Sequence, residues 1–383
     1  MKGKYYKLKE SLSFCIFIQI GMLPLIIYFQ YEAPAFSFLA NVAAVPLATC
    51  AFTLAFLLIF LPYTVFHEAI SWMIQGVLWI SRQSYGMLTI GHVPFLWVLL
   101  FYFMTGLWIW KKNGQNRHIR ISLTYVIMII LIWIPMARRK SLAFLDVGQR
   151  DCFVADTKSG AIIFDGGSSS EDQVGRYRIL PYMKYLGYQK IQIAVISHMD
   201  IDHYSGIKEL LEMGKIKYLG LPEIPKDETM KKIIGIAKKR GTTIFYLSRG
   251  RQITTKDGSL KVLHPQKNSQ MEKNAASLVM QGKILGYRVL LTGDVEKEGE
   301  EELLSEELER ADILKAAHHG SKNSTSNEFL QKVQPKQTVI SCGKQNRYGH
   351  PHLETIHRLQ TYRTKIYRTD RSGAIIFFKR RDG

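Results

Sequence analysis

The stretch ISHMDIDH, residues 196–203, places four side chains able to ligate metal, His198, Asp200, Asp202 and His203, within six residues. The apolar run Ala194–Ile196 that enters it reads as a buried strand breaking into a turn. Alternate residues of such a turn project to one side and the closing Asp-His pair to the other. Imidazole and carboxylate at this spacing can therefore address two adjacent divalent cations. The plain alternative is a polar surface turn, because Asp and His are common in turns. One short motif does not choose between the two. A metal centre needs further ligands from elsewhere in the chain.

Two later apolar runs end in such residues. VLLTGDVE (289–296) closes on Gly293 and Asp294, the glycine allowing close backbone approach. A helix N-cap ahead of the Glu-rich segment is the competing role for Asp294. ADILKAAHHGSKNSTS (311–326) closes on His318 and His319, and adjacent imidazoles beside a Lys-rich turn have little purpose in packing. Either histidine is a candidate ligand. His264, in VLHP, reads equally as a structural histidine or as one more ligand.

The 383 residues are enough for two domains, and the composition divides accordingly. Residues 1–140 hold twelve Lys and Arg against three acids, Glu10, Glu32 and Glu68, whereas residues 141–383 hold 39 basic and 29 acidic residues. The first part is lipid-like and the second soluble in character. Four scattered cysteines, Cys15, Cys50, Cys152 and Cys342, form no CxxC, which excludes a zinc knuckle and a disulfide scaffold. The formal charge of +19 suits a polyanionic partner or an anionic membrane surface, and equally a basic surface kept soluble by its charge.

Residues 11–29 run 19 positions without a charge, long enough to cross a hydrocarbon core. A signal peptide does not fit, since no small-residue cleavage site follows and more apolar segments do. A second uncharged stretch covers 36–62, where Asn41 and Pro46 predict a break or re-entrant element. Further spans are expected at 93–110 and 121–135, and 64–81 is either a fifth span or an interfacial helix. Four spans with a cytoplasmic N-terminus put the basic loop 111–120 outside. Five put it inside but leave residues 137–140 and the soluble part outside, so each topology breaks the positive-inside tendency once. Five is preferred, because the 111–120 loop is the more strongly basic. The expected location is the cell membrane, multi-pass.

After Lys140 the pattern changes to short strands and helices. Strands are predicted at 142–147, 152–156 and 161–167, then a helix at 173–185 ahead of ISHMDIDH. Helices at 204–213 and 229–239 and strands at 217–220, 244–247, 260–263, 277–281 and 287–292 continue the pattern. Helices at 298–310, 326–333 and 353–362 then alternate with strands at 313–316, 337–342, 366–369 and 374–379. Meanders followed by strand-helix alternation suit two packed sheets with helices outside, an αββα sandwich over 141–383 behind an α-helical membrane domain over 1–140.

The motifs LDVGQxD (145–151), FDGG (164–167), SHxDxDH (197–203), Asn274 with Ser277, LLTGD (290–294), LKxxHHGSKxSTS (314–326), GKxNRYGHPH (343–352) and YRTDRSGAI (367–375) together resemble the metallo-β-lactamase fold. More closely they resemble the ComEC-type competence proteins, which carry DNA across the cytoplasmic membrane in natural transformation. NVAAVP (41–46) resembles, less specifically, the Asn and Pro break of that family's channel domain. Arg150 stands where the family's LDVGQGD has its second Gly, and Ser205-Gly206 where it has Gly-Gly. The chain resembles the C-terminal half of such a protein, so other DNA-uptake proteins or a separate N-terminal channel half are implied partners, beside membrane lipid and single-stranded DNA.

The resemblance implies a metal-dependent nuclease that degrades one strand of incoming DNA. Two divalent ions on His198, Asp200, Asp202, His203, Asp294 and one of His318 or His319 would activate a water and clamp a phosphate oxygen. Asp200 stands where many relatives of the wider fold have His. This harder ligand favours manganese, with zinc or magnesium as alternatives. Lys322, Arg347 and His350 are candidates to hold phosphate or protonate the leaving oxygen, and Asp146, Gln149 and Asp151 to buttress the ligands from behind. A DNA-guiding pore component that does not cut, and a membrane-tethered hydrolase of another phosphoester, are the competing functions.

Overall fold

In a computed structural model of the chain, residues 2–60, 64–81, 86–110, 126, 139–272, 274–344 and 346–380 are described. The chain divides into two compact units, Met1–Met136 and Ala137–Gly383.

The first unit contains the helices Lys2–Gln30, Ser37–Leu57, Thr64–Ser81 and Phe95–Trp110. By length and apolar composition, Ser13–Gln30 and Leu39–Leu57 can cross a membrane, and Phe95–Leu107 is a shorter apolar helix. The break expected at Asn41–Pro46 is absent: Ser37–Leu57 is one helix with Pro46 inside it. A proline removes a single ladder bond, and here it is flanked by Ala43, Ala44, Leu47 and Ala48, strong helix formers. Thr64–Ser81 is also one helix, packed against Ser37–Leu57. A short antiparallel ladder of β1 (Glu32–Pro34) and β2 (Met87–Thr89) went unanticipated, being three residues a side. The loop 111–120 and the span expected at 121–135, Val126 apart, lie outside the described residues.

The second unit is built on fourteen strands. These are β3 (Ser141–Phe144), β4 (Phe153–Thr157), β5 (Gly160–Phe164), β6 (Ile191–Val195), β7 (Ile216–Pro222), β8 (Thr243–Leu247) and β9 (Gln252–Thr255), then β10 (Gly258–His264), β11 (Val279–Ile284), β12 (Tyr287–Leu291), β13 (Ile313–Lys315), β14 (Gln337–Ile340), β15 (Lys365–Arg368) and β16 (Ile375–Phe378). One sheet runs β16-β3-β4-β5-β6-β7-β8 and the other β9-β10-β11-β12-β13-β14-β15. Each starts with three antiparallel pairings and ends with three parallel ones. The two halves share this plan although the sequence shows no repeat. Strand β9 escaped prediction because QITT carries a single apolar residue, Ile253.

Side-chain alternation assigns each strand residue to a layer. Phe144, Phe153, Phe164 and Val195 of the first sheet meet Val262, Met280, Leu291 and Ile313 of the second in the central core. Their neighbours Ala143, Val154, Ile163 and Ala194 turn the other way, against Ile207, Leu210 and Met230 of the helices Ile201–Glu212 and Glu228–Lys239. On the far side Leu290, Leu314 and Ile340 pack with Phe329 and Leu359 from Asn327–Val333 and Leu353–Thr361. Both faces of each sheet are covered, which is why the strands read as continuous apolar runs. Each fully buried large side chain contributes about 1.5–3 kcal/mol. The loops leaving β5, β6, β12, β13 and β14 all emerge where parallel strands end, the usual place for a site in an α/β sheet.

Candidate metal centre

Asp165 follows β5, fully buried, and sets the geometry. Its Oδ1 accepts the amide of Ser197 at 2.7 Å and its Oδ2 lies 3.0 Å from His203 Nδ1. A carboxylate there keeps the imidazole proton on Nδ1 and leaves the lone pair on Nε2. That Nε2 faces Asp294 Oδ2 at 3.1 Å. His319 repeats the arrangement: its Nδ1 donates to the Ser341 carbonyl at 3.0 Å, and its Nε2 lies 3.0 Å from the same Asp294 oxygen. Two imidazole lone pairs and a carboxylate oxygen thus converge in a buried space, an arrangement that requires a positive charge among them.

The donor atoms of Asp151, His203, Asp294 and His319 lie within 4.8 Å of one another, as ion ligands do. Asp202 Oδ2 stands 3.9 Å from His203 Nε2. The Nε2 atoms of His203 and His198 are buried without a hydrogen-bond partner among the described residues. This donor set, two imidazoles with carboxylate oxygens, fits a divalent ion. Without one, protons take its place. Burial would lower the His203 pKa, but Asp294 and Asp165 outweigh burial and push it up to about 10. His319 is raised in the same way, against burial, by Asp294 and Asp151. Burial alone would raise Asp294, yet His319, His203 and Lys315 hold it well below the ordinary carboxylate range.

Glycine makes the approach possible. A Cβ on Gly167, in FDGG, would sit 2.3 Å from the Asp202 backbone, so only glycine lets the first turn of Ile201–Glu212 close on β5. That turn carries Asp202 and His203, while Asp200 is its N-cap residue, with a side chain 37% exposed. Asp200 Oδ2 lies 3.6 Å from His198 Nε2. His198 Nδ1 is held by the hydroxyls of Ser197 and Ser277 at 3.0 and 3.2 Å, and the Ser277 hydroxyl also accepts the Asp294 amide at 3.3 Å.

His318 and His319 have backbone φ of 44° and 54°, both left-handed. Consecutive left-handed residues send the two rings to different acids. His319 enters the buried cluster, whereas His318 stays at the rim, its Nδ1 2.7 Å from Glu296 Oε1 and its Nε2 3.9 Å from Asp294 Oδ2. His350 is half-buried, its ring 5.4 Å from His318 and 6.1 Å from His319. Burial and those two neighbours push its pKa down to about 4. Lys322 and Arg347 are exposed at the surface. His264 lies apart from the cluster, between the Ala275 carbonyl at 2.7 Å and Glu302 at 2.6 Å, in a structural role.

Behind the ligands, Asp151 is ion-paired to Lys315, a buried lysine that also donates to the Gly293 carbonyl at 2.6 Å and lies 3.4 Å from Asp294 Oδ1. Lys315 was not foreseen. Its signal was a charge inside the apolar run DILKAA, where the strand face is buried. Gln149 Oε1 accepts the Gly343 amide at 2.8 Å and Asp146 Oδ1 that of Gly148 at 3.2 Å, shaping the loop between β3 and β4. From this loop Arg150 reaches in, ion-paired with Asp202, its Nη1 3.4 Å from His319 Nε2 and its guanidinium over the Tyr348 ring at 5.3 Å.

Residues 145–344 match the metallo-beta-lactamase superfamily and residues 2–114 the competence protein family. ComE operon protein 3 of Bacillus subtilis is 31% identical over 400 residues, covering 95% of this chain and 51% of the relative. Competence protein ComA of Neisseria gonorrhoeae is 30% identical over 248 residues, covering 62% of this chain and 32% of the relative. The chain thus spans about half the length of the first relative and a third of the second. Among solved structures, the metallo-beta-lactamase fold protein YhfI from Bacillus subtilis aligns with a TM-score of 0.43 at 12% identity, over 62% of this chain and 99% of that one. The chain belongs to the metallo-beta-lactamase superfamily and carries, ahead of that domain, a segment that matches the competence protein family.

Proposed function

We propose that the chain serves DNA uptake in natural transformation as a multi-pass protein of the cell membrane. Residues 1–140 form its channel segment, and residues 141–383 hydrolyse phosphodiester bonds, degrading one strand of incoming DNA. The observation that carries the reading is the meeting of His203 Nε2, His319 Nε2 and Asp294 Oδ2 at the ends of parallel strands, in a chain whose first part matches competence proteins. The exposed apolar side chains of the first unit, Trp72, Trp79, Phe103 and Trp110 among them, suit contact with lipid.

His198, Asp200, Asp202, His203, Asp294 and His319 would together hold divalent ions, manganese before magnesium or zinc. When bound, the ion supplies Lewis acidity and lowers the pKa of a water near the scissile phosphate. Asp165 and the Ser341 carbonyl fix the two imidazoles so that their lone pairs face inward. Lys315 offsets the charge of Asp151 and Asp294, keeping both carboxylates ionised. His350 is neutral at pH 7. Its Nδ1, without a hydrogen-bond partner among the described residues, can receive a proton. Lys322 and Arg347, exposed, would contact phosphates of a single strand without reading bases. Beside His198 a cavity of about 180 Å³ has a mixed lining, Met199, Met230, Met271, Ile224 and Pro225 with Asp227, Ser269 and Gln270.

The test is cleavage by the purified chain in detergent of end-labelled single-stranded DNA with manganese. Asp202→Asn and His203→Ala should each abolish it. A second reading, a DNA-guiding component that does not cut, is favoured by the Arg150 contact with Asp202. Salt-sensitive binding without cleavage under manganese, magnesium or zinc would select it.

A further inference from the structure

HMDIDH has the spacing for two cations, and one of the two positions faces Asp202 and His319. Arg150 Nη1 is there already, in an ion pair with Asp202 and 3.4 Å from His319 Nε2. We propose that the Arg150 guanidinium is the resident cation of that position, so that the centre takes one divalent ion, on the side of His198, His203 and Asp294, and not two.

The side chain is built in. Arg150 is 8% exposed, its Nε and Nη2 lie 3.4 Å from Ser169 Oγ, and its guanidinium is capped by Tyr348. A guanidinium does not deprotonate in proteins, so Arg150 cannot vacate the position by losing its charge as a lysine can. Its backbone φ of 156° is outside the range most side chains prefer, a cost tolerated where the surroundings hold the residue in place.

Charge balance gives the same count. Asp151, Asp165, Asp202 and Asp294 are buried carboxylates around the centre, and Lys315 and Arg150 are the buried cations facing them. With neutral histidines, one divalent ion brings these groups to neutrality. A second would leave a double positive excess in a space shielded from water, where uncompensated charge is strongly unfavourable. Asp200 at the rim, 37% exposed, relieves this only in part.

The inference rests on the metal-binding part of the proposed function and not on its substrate. The full chain in detergent, stripped with chelator and dialysed against manganese, is assayed for ions per chain by plasma mass spectrometry and for Mn–Mn coupling by electron paramagnetic resonance. Wild type should hold one uncoupled ion, and Arg150→Gly two, with the spectrum of a coupled pair. Arg150→Ala serves as the second variant if the glycine form does not fold. Two ions in wild type, or one ion in both folded variants, would overturn the assignment of Arg150. No ion in wild type or in either variant would overturn the metal-centre reading itself.

Discussion

Asp165 and His203 meet at 3.0 Å between Oδ2 and Nδ1, both side chains fully enclosed, and this contact turns the His203 lone pair toward Asp294. The acid touches no ion, yet it fixes the ring that would. Asp165→Asn should weaken divalent-ion binding about 10–100-fold, the usual effect of losing an orienting partner. Competition against a fluorescent chelator measures it, and unchanged circular dichroism separates the effect from misfolding.

Asp294 is the atom-level meeting point of both imidazoles. Asp294→Ala removes the shared oxygen and leaves Lys315 with Asp151 as its partner. Ion binding should be lost and DNA cleavage should fall at least about a thousandfold, the scale of several kcal/mol of lost transition-state stabilisation. Gel-shift binding of single-stranded DNA should persist.

An ion that binds only the folded centre stabilises it by mass action. At a hundred times its dissociation constant, manganese should add about 2.7 kcal/mol, which for a unit of this size raises Tm by about 5–10 °C. Scanning fluorimetry with and without chelator reads the difference. A Tm indifferent to manganese would count against the centre.

Asp312 supplies a pH-dependent contact remote from the centre. Burial would raise its pKa, but the Arg288 amide at 3.0 Å, Lys336 at 2.9 Å and Arg380 at 3.3 Å hold it below the ordinary value. A lowered carboxylate stabilises the fold fully above the unfolded pKa, near 4, and the gain disappears as pH falls through the folded value. Asp312→Asn should therefore cost about 1–3 kcal/mol at pH 7. Thermal unfolding at several pH values should show wild type and variant converging below about pH 4.

The αββα plan could be read from the sequence because its strands are buried on both faces, so apolar runs ending in Gly-Asp or His-His mark strand and site together. Where the pattern is not apolar it is silent, as at Gln252–Thr255. His318 and His319 could not be ranked, since ordinary strand alternation leaves either one inward and only the two left-handed residues send His319 to the cluster. Lys315 was hidden for another reason. A lysine closing a strand reads as solvent-facing until Asp151, far earlier in the chain, is brought against it. Pro46 shows the opposite error, a helix breaker absorbed by the strong formers around it.

The pairing of Ile375–Phe378 with Ser141–Phe144 carries a consequence for biosynthesis. The last strand of the domain hydrogen-bonds to its first, so a ribosome must finish nearly the whole domain before β3 acquires its outer neighbour. Until then the nascent chain presents the open backbone edge of an apolar strand, the kind of surface that recruits other chains. Folding of this sheet is thereby timed to the synthesis of β16, and a pause between β3 and β16 prolongs its most aggregation-prone interval.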